Sequence, residues 1–294
     1  MGVVVGTTAS ATLCPPPDER VLALPAAERE QLSLADLYWY WFDVRPATTE
    51  GLREQAYRLR YQVYCMEHGF EDPADNPEGL ETDAYDDHAE TAILIHRPTE
   101  LAAGTVRLVL PRADTPGESF ALQEICKDPL IADPVRFPVA RMGEVSRFCI
   151  SKRFRRRLQD LSYPNELDHV APRLSRREER RLLPHMTLGL IEALVRMNVE
   201  NGLTHWCAAM EPQLLRLLTR IGIHFEPIGP MVSHHGMRQP CFARLVDLLA
   251  RVNAERPDVW EVITDQGRLA AALHRIEGEY ARRRPPKRIA DPAC

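Results

Sequence analysis

A glutamate and an arginine stand three residues apart inside an apolar stretch of the sequence. Glu144 and Arg147 belong to residues 143–150, whose apolar and β-favouring side chains predict a largely buried strand. Buried carboxylates and guanidinium groups are uncommon unless they pair or take part in chemistry. Taken alone, the two residues favour a structural ion pair. The alternative is a site in which the carboxylate accepts a proton.

The spacing of this pair places a condition on any cleft that both residues share. Side chains alternate between the two faces of a regular strand, so Glu144 and Arg147 would point to opposite faces. Only a β-bulge, which is common beside active sites, would let both line one cleft. A chemical role for the pair therefore predicts a bulge in the 143–150 strand.

Further charged features precede this strand. Residues 81–87 hold four carboxylates in seven positions, which composition alone would place in a solvated acidic loop. A calcium loop would need a glycine and a terminal glutamate at fixed offsets, and these are absent from the sequence. Arg107 is a lone base in an apolar predicted strand, where an ion pair at the sheet surface is an equal alternative. Arg60 lies towards the end of a predicted helix.

The elements that carry these residues follow from hydrophobic periodicity and turn residues. Helices are predicted at 50–67, 186–201 and 213–220, where apolar spacing, capping residues or Pro and Gly mark their extent. Strands are predicted where β-favouring residues lie between turn signals, at 38–45, 89–96, 103–110, 143–150, 205–210, 224–228 and 241–248. This order fits one α/β domain on a mixed sheet with helices on both faces.

Composition divides the chain into three parts. Residues 1–35 are expected to be a disordered, variable N-terminal segment. Residues 36–250 form the predicted domain, with a basic insertion at 151–182 that holds ten bases and five acids. Residues 251–294 are expected to form a C-terminal helical extension that ends in a flexible basic tail.

Overall composition limits the partners and the compartment. The chain has 294 residues and a net charge of −5, which does not suggest a nucleic-acid binder. Its local basic segment suits an acidic partner or a phosphate-bearing ligand. Seven scattered cysteines without a Cys-x-x-Cys motif predict reduced thiols in the cytoplasm, with neither a disulfide framework nor a metal site. No apolar run approaches the length of a transmembrane helix.

Four of the charged features occur in series. In order they are Arg60 with Val63-Tyr64, Glu81-x-Asp83-x-Tyr85-Asp86, Gly104-x-x-Arg107-Leu108, and Glu144-x-Ser146-Arg147-Phe148. Together they resemble the acyl-homoserine-lactone (autoinducer) synthases, the N-acyl amino acid synthases, and the acyltransferases associated with exosortase/PEP-CTERM gene clusters. The resemblance covers about residues 38–150 and, more loosely, continues to about 230. The insertion and the extra residues near 111–141 make the exosortase-associated group the nearest match.

That superfamily has the GNAT acyltransferase fold, so the resemblance implies the same fold here. In a GNAT the 143–150 strand diverges from the 205–210 strand, and the V-shaped opening receives the pantetheine arm of the donor. Glu81 and Glu144 align with acidic residues of the family and are the candidate bases that deprotonate an amine. A backbone N–H near Phe148 or Cys149 would stabilise the thioester oxyanion. The resemblance assigns the acceptor pocket and substrate binding to Arg60, Tyr64, Asp83, Asp86, Arg107, Arg147, Phe148 and Cys149.

The expected donor is an acyl thioester, with no permanently bound cofactor. Most GNATs carry a glycine-rich pyrophosphate loop before the central helix, but residues 180–189 offer only Gly189. This weakens an acetyl-CoA interpretation and leaves acyl carrier protein or a longer acyl-CoA as donor. A basic segment would meet acidic acyl carrier protein or the phosphopantetheine phosphate through Lys152, Arg153, Arg155, Arg156 and Arg157. A solvated charged insertion is the alternative for that segment.

These observations predict an N-acyltransferase. It would transfer a medium or long acyl chain from acyl carrier protein or CoA to the amine of an amino acid or similar small metabolite. One alternative is an acyl-homoserine-lactone synthase that uses S-adenosylmethionine. Another is a non-catalytic acyl-carrier or lipid-binding module that keeps the fold.

Overall fold

A mixed sheet of eight strands runs through the part of the chain described by the computed structural model, residues 33–152, 154 and 176–283. The strands are β1 Phe42–Pro46, β2 Ala89–His96, β3 Leu101–Val109, β4 Met142–Ile150, β5 His205–Met210, β6 Glu226–Pro227, β7 Val232–Ser233 and β8 Met237–Arg244. Their spatial order is β1-β2-β3-β4-β5-β8-β6, and β7 pairs with β8. Neighbouring strands are antiparallel except β4 and β5, which are parallel.

Helices cover both faces of this sheet. They are α1 Leu34–Trp41, α2 Glu50–Tyr61, α3 Ala121–Ile125, α4 Arg176–Glu200, α5 Pro212–Arg220, α6 Leu245–Glu255, α7 Pro257–Ile263 and α8 Arg268–Arg283. A π-helix, Gln62–Glu67, continues α2. A 3₁₀ helix, Ala84–His88, precedes β2 and carries part of the acidic run. The predicted mixed sheet with flanking helices is confirmed.

Alternate strand residues face two different apolar layers. On β2, Ala92 and Leu94 pack in the main core with α4, whereas Ile93 and Ile95 pack against Ala56 of α2. Because successive side chains of a strand point to opposite faces, a strand covered on both faces buries nearly every residue. The central strands therefore appear in the sequence as continuous apolar runs.

Segment 111–141 forms a further layer beside β4 and β5. Phe120, Leu122 and Phe137 of this segment are buried with Met142 of β4 and Cys207 of β5. Although the segment lacks regular periodicity, it supplies an apolar layer of its own. It thereby brings the start of α3 next to β4.

Several predicted elements are confirmed. The 50–67 helix is observed as α2 and the π-helix, and β2 has the predicted bounds of 89–96. Strand β5 also has its predicted bounds, and β3, β4 and α5 differ from prediction by one or two residues at an end.

The prediction of a strand at 38–45 was wrong in its first half. Residues 34–41 are helical, and only Phe42–Pro46 form β1. Ser33 caps the helix, and the Asp36 carboxylate accepts a hydrogen bond from the Ser33 backbone N–H in a capping box. Helix-start signals at Ser33 and Asp36 therefore outweigh the β preference of the aromatic residues that follow.

The last predicted strands also needed correction. The strand predicted at 241–248 begins earlier, at Met237, and ends at Arg244. Leu245, Leu248, Leu249 and Val252 belong to α6 and are buried at helical spacing. The strand predicted at 224–228 shrinks to Glu226–Pro227.

No helix in the described ranges is both long enough and apolar enough to cross a membrane.

Candidate active site

A bulge between β3 and β4 decides where the functional side chains point. Thr105 pairs with Cys149 and Arg107 pairs with Ser146, so one residue of β3 faces two residues of β4. Arg147 lies in the bulge with φ of 47°, a left-handed conformation uncommon for residues other than glycine. The predicted bulge is confirmed, and it turns the Arg147 side chain out of the regular alternation.

Arg60, at the end of α2, is completely buried and pairs with two carboxylates. Its Nε donates to Oε2 of Glu81, and its Nη1 and Nη2 donate to the two oxygens of Asp86 at 2.7 and 3.0 Å. A planar guanidinium offers donors on two edges, so one Arg60 side chain holds both acids in fixed orientations.

Arg107 of β3 forms the second pairing. Its Nη1 and Nη2 donate to the two oxygens of Asp83, at 2.5 and 2.9 Å, and its Nη1 lies 3.0 Å from Oδ1 of Asp86. Its Nε donates to the hydroxyl of Ser146, the cross-strand neighbour in β4, at 2.9 Å. Arg107 thus fastens the acidic 3₁₀ helix to the sheet beside the bulge.

Arg147 completes the network. Its Nη2 donates to Glu81 at 2.7 Å and to Asp83 at 2.8 Å, and its Nε donates to Glu81 at 3.0 Å. The guanidinium carbon lies 5.3 Å from the centre of the Tyr64 ring, within cation–π distance. We refer to one set of six side chains as the charged cluster: Arg60, Glu81, Asp83, Asp86, Arg107 and Arg147.

The arginines determine the ionisation of the acids in this cluster. Burial alone would raise the pKa of Glu81 and Asp83, but the hydrogen bonds and charges of Arg60, Arg107 and Arg147 outweigh it and lower both values. Burial also acts to raise the pKa of Asp86, but the hydrogen bonds and charge of Arg60 outweigh it and lower this pKa to about 2. These acids are therefore ionised and are weak bases.

Glu144 lies in a different environment. Its side chain is 4% exposed, and its two oxygens accept backbone N–H groups of Ala121 and Leu122, each at 2.9 Å. Burial raises the pKa of Glu144 to about 7, although both N–H groups and the charge of Arg107 act in the opposite direction. Of the two candidate bases, only Glu144 has a pKa suited to proton exchange near neutral pH.

The remaining predicted residues of this site are uncharged. Burial raises the pKa of the Cys149 thiol to about 12, which leaves Cys149 protonated and unreactive. Burial also raises the pKa of Tyr64. Phe148 is partly buried and packs against the main core. Tyr64, Phe148 and Cys149 therefore add no ionised groups to those of the charged cluster.

Strands β4 and β5 separate where the V was predicted. They pair only between Met142–Glu144 and His205–Cys207, and the later residues of β4 have no partner in β5. The bulge and Arg147 lie on the splayed part of β4, soon after Glu144, and Arg147 joins this part of the strand to the rest of the charged cluster. The predicted divergence is confirmed, and it opens beside the charged cluster.

The basic segment is described only in part. The backbone N–H of Lys152 donates to a Glu67 carboxylate oxygen at 3.1 Å. Arg153 and residues 155–175, which include Arg155, Arg156 and Arg157, lie outside the described residues. Residues 180–189 are part of helix α4 rather than a loop. A side chain at Gly189 would collide with Leu94 and Tyr38, so this glycine permits close packing of α4 on the sheet.

Sequence reasoning missed several partners in this region. The N–H groups that hold Glu144 come from Ala121 and Leu122, more than twenty residues earlier. Ser146 enters the sequence pattern only as one position of a motif. A backbone donor has no side-chain signature, so these contacts leave no pattern in the sequence.

Comparison with known proteins bears on this arrangement. Residues 59–162 match a family model described as an acetyltransferase (GNAT) domain. This part of the chain is therefore similar to a GNAT acetyltransferase domain. The matched residues run from the end of α2 through β4 and include all six residues of the charged cluster and Glu144. The predicted fold and the predicted acyltransferase class are confirmed.

Solved structures similar to this chain include TofI, in a ternary complex with an inhibitor and MTA. The identity is 20% and the TM-score 0.49, and the match covers 72% of this chain and 96% of that one. FeeM, an N-acyl amino acid synthase from uncultured soil microbes, gives 13% identity and a TM-score of 0.47, covering 71% and 94%. BjaI, a CoA-dependent acyl-homoserine lactone synthase, gives 17% identity and a TM-score of 0.45, covering 81% and 98%.

No curated protein that was compared matches the chain.

Proposed function

We propose that the protein is an N-acyltransferase that transfers a medium or long acyl chain from a thioester to the amine of an amino acid or similar small metabolite. The observation that carries the proposal is the opening between β4 and β5, which begins at Glu144 and lies beside the charged cluster. A thioester arm in this opening would present its carbonyl to the splayed part of β4. An amine at the charged cluster would then face that carbonyl.

The proposed reaction is direct transfer. The neutral amine attacks the thioester carbonyl, a nitrogen–carbon bond forms, and the carbon–sulfur bond breaks. The backbone N–H of Phe148 or Cys149 stabilises the oxyanion, and the leaving thiolate takes up a proton. Cys149 is not needed as a nucleophile, because a protonated thiol in a buried strand cannot form an acyl intermediate efficiently.

We assign proton removal from the amine to Glu144. Its raised pKa lets it exchange a proton near neutral pH, whereas the lowered pKa of Glu81 makes that carboxylate a poor base. Glu144 is buried, so the proton passes through an intervening water. Glu81, paired with Arg60 and Arg147, is a positioning residue in this proposal.

The donor in this proposal is acyl carrier protein or acyl-CoA, bound without a permanent cofactor. Lys152, Arg153, Arg155, Arg156 and Arg157 remain the proposed contact for acidic acyl carrier protein or for the phosphopantetheine phosphate. We propose the cytoplasm as the location, since the five cysteines in the described part of the chain are free. The association with exosortase gene clusters also stays a prediction.

Mass spectrometry of lipid extracts tests the proposal. Extracts of cells that express the wild type, Glu144→Gln and the exposed control Glu118→Gln are compared. A glutamine at 144 keeps an oxygen that can accept a backbone N–H, so it disturbs α3 less than alanine would. We expect a new acylated amine with the wild type and Glu118→Gln, and little or none with Glu144→Gln.

Other outcomes of this experiment distinguish the alternatives. An acyl-homoserine lactone in the wild-type extract would identify the acceptor as S-adenosylmethionine and favour the autoinducer synthase. Three identical extracts would contradict catalysis and favour an acyl-carrier or lipid-binding module.

A further inference from the structure

The hairpin formed by β7 and β8 extends beyond β5 and reaches the other side of the opening. Strand β8 pairs with β5 as far as Met210 and Gln239, and its first residues pair with β7. At the tip, His235 Nδ1 lies 3.1 Å from the backbone oxygen of Phe70, a residue 165 positions away in the sequence. We refer to residues 232–238 as the strap, since they span from the β5 side to the segment beside Arg147.

Contacts of Arg238 hold the strap in place. Arg238 forms a 2.7 Å ion pair with Glu211, immediately after β5, and its Nη2 donates to the His235 oxygen at 2.7 Å. The same Arg238 guanidinium lies 5.2 Å from the centre of the Phe70 ring. The strap is therefore anchored at the end of β5 and packs on Phe70.

The π-helix fixes the segment that the strap contacts. The backbone N–H groups of Phe70 and Glu71 both donate to the oxygen of Tyr64, at 2.8 and 3.4 Å. Tyr64 belongs to the π-helix, and its ring also contacts Arg147. Since π-helical turns often occur at functional sites, this local irregularity supports a role in placing Glu71.

Glu71 is the least engaged carboxylate around Arg147. Its Oε1 lies 3.5 Å from Arg147 Nη2 and 3.7 Å from His235 Nδ1, and within the described residues its carboxylate makes no hydrogen bond. Glu81 and Asp83, in contrast, each accept several hydrogen bonds from arginines. The Glu71 side chain is 22% exposed, so solvent reaches it beside Arg147.

Charge balance favours a cation beside this carboxylate. The three arginines of the charged cluster match its three acids, and Glu71, which contacts Arg147, brings the number of carboxylates to four. One negative charge is therefore left over at the partly exposed edge of the cluster. An ammonium group fits this position, because it would balance the charge and replace two long contacts with charge-assisted hydrogen bonds.

We infer that Glu71, held between Arg147 and the strap, selects a cationic acceptor by binding its ammonium group before acyl transfer. This inference rests on the proposed N-acyltransferase function and names the residue that recognises the acceptor. The bound ammonium gives up one proton, through water, to Glu144. The resulting amine attacks the thioester as described above, so Glu71 determines which nucleophile enters and remains unchanged itself.

Steady-state kinetics with four proteins tests the inference: wild type, Glu71→Gln, Glu71→Asp and the control Glu78→Gln. Glu78 is an exposed acid of the same loop. Decanoyl-CoA, palmitoyl-CoA and acyl carrier protein loaded with the same chains serve as donors, and each of the amino acids as acceptor. The amino acid that gives the fastest thiol release with the wild type is then titrated with every variant.

We expect Glu71→Gln to raise KM for that amino acid by at least about tenfold, the effect of losing a hydrogen bond to a charged group. The donor KM and kcat should stay within about twofold. Glu71→Asp keeps the charge and should recover part of the loss, and Glu78→Gln should behave as the wild type.

The contrary outcomes separate this inference from the proposed function. Thiol release with an unchanged amino-acid KM in Glu71→Gln would overturn the inference and leave the proposed function standing. Equal losses in Glu71→Gln and Glu71→Asp would show that shape rather than charge matters, and would also overturn it. No thiol release by the wild type with any donor and acceptor would overturn both.

Discussion

Arg58 and Arg60 lie two residues apart on helix α2 in opposite environments. The Arg58 side chain is 59% exposed and pairs with Glu54 one turn earlier, whereas Arg60 is completely buried between Glu81 and Asp86. An exposed pair contributes little because water screens both charges. A buried pair behaves differently, because the loss of one partner leaves an uncompensated charge in a region without water.

We predict that Arg60→Met lowers the free energy of unfolding by about 3–5 kcal/mol, since Glu81 and Asp86 both lose a partner. Arg58→Met removes a guanidinium of the same size from the same helix and should cost less than about 0.5 kcal/mol. Urea denaturation followed by circular dichroism measures both changes. Similar losses in the two variants would contradict the assigned role of the charged cluster in holding this region together.

The raised pKa of Glu144 predicts how turnover depends on pH. Burial moves this pKa from 4.5 to about 7, and the ionised carboxylate is the form that accepts a proton. We therefore expect kcat/KM to rise with pH and level off above about 7. In Glu144→Gln the rate should fall by about 10²–10⁴-fold, and kcat/KM should no longer rise with pH in this range.

Glu81→Gln provides the matched comparison for that profile. The pKa of Glu81 is lowered by Arg60 and Arg147, so its ionisation is complete well below neutral pH. Turnover in this variant should fall, but kcat/KM should still rise with pH and level off above about 7. If this rise shifted in Glu81→Gln and persisted in Glu144→Gln, Glu81 rather than Glu144 would be the base.

Among the elements, β3 and β4 depend on a glycine for their close approach beside the bulge. A Cβ at Gly104 would lie 2.8 Å from the backbone oxygen of Cys149. Backbone cannot move aside as a flexible side chain can, so an added methyl group would push β4 away from β3. The bulge that orients Arg147 lies at the same place.

Gly104→Ala should therefore destabilise the protein by about 1–3 kcal/mol, the usual effect of overpacking. Gly51→Ala on α2 is the control, because a Cβ there meets nothing within 4 Å. Alanine has a higher helix propensity than glycine, so Gly51→Ala should stabilise the protein by up to about 1 kcal/mol. Thermal unfolding should show a lower melting temperature for Gly104→Ala and a higher one for Gly51→Ala. A Gly104→Ala variant as stable as the wild type would show that β3 and β4 can move apart without loss of stability.

At the scale of the whole molecule, the C-terminal helices share the main core with the sheet. Leu245 and Leu249 of α6, Val262 of α7 and Leu273 of α8 are buried in the same apolar cluster as Trp206 of β5. The predicted boundary between residues 250 and 251 falls inside α6. On this basis we propose that α6–α8 fold together with the sheet rather than as a separate extension.

Two neighbouring substitutions on α8 test this proposal. Leu273 is buried and His274 is exposed. We predict that Leu273→Ala lowers the free energy of unfolding by about 2–5 kcal/mol, because it leaves a cavity in the shared core. His274→Ala should change it by less than about 0.5 kcal/mol. A loss below 1 kcal/mol for Leu273→Ala, or a second unfolding transition, would indicate an independent helical unit.

The amino-acid sequence by itself determined the features that depend on neighbouring residues. Apolar periodicity placed α2, β2, β5 and α5, because helices and strands bury side chains at fixed intervals. A cleft shared by Glu144 and Arg147 required a bulge, because a regular strand would point them to opposite faces. At Tyr38 the helix-start signal of Ser33 and Asp36 conflicts with the β preference of the aromatic residues, and the predicted strand was wrong there.

Tertiary structure alone decided how the site residues differ from one another. Glu81 and Glu144 are both glutamates in predicted motifs, but one meets two arginines and the other two backbone N–H groups. The contact between the strap and Phe70 likewise joins residues that are 165 positions apart. The ionisation of a buried carboxylate depends on the charges, dipoles and water within a few ångströms, and the folding of distant segments against each other brings those groups together.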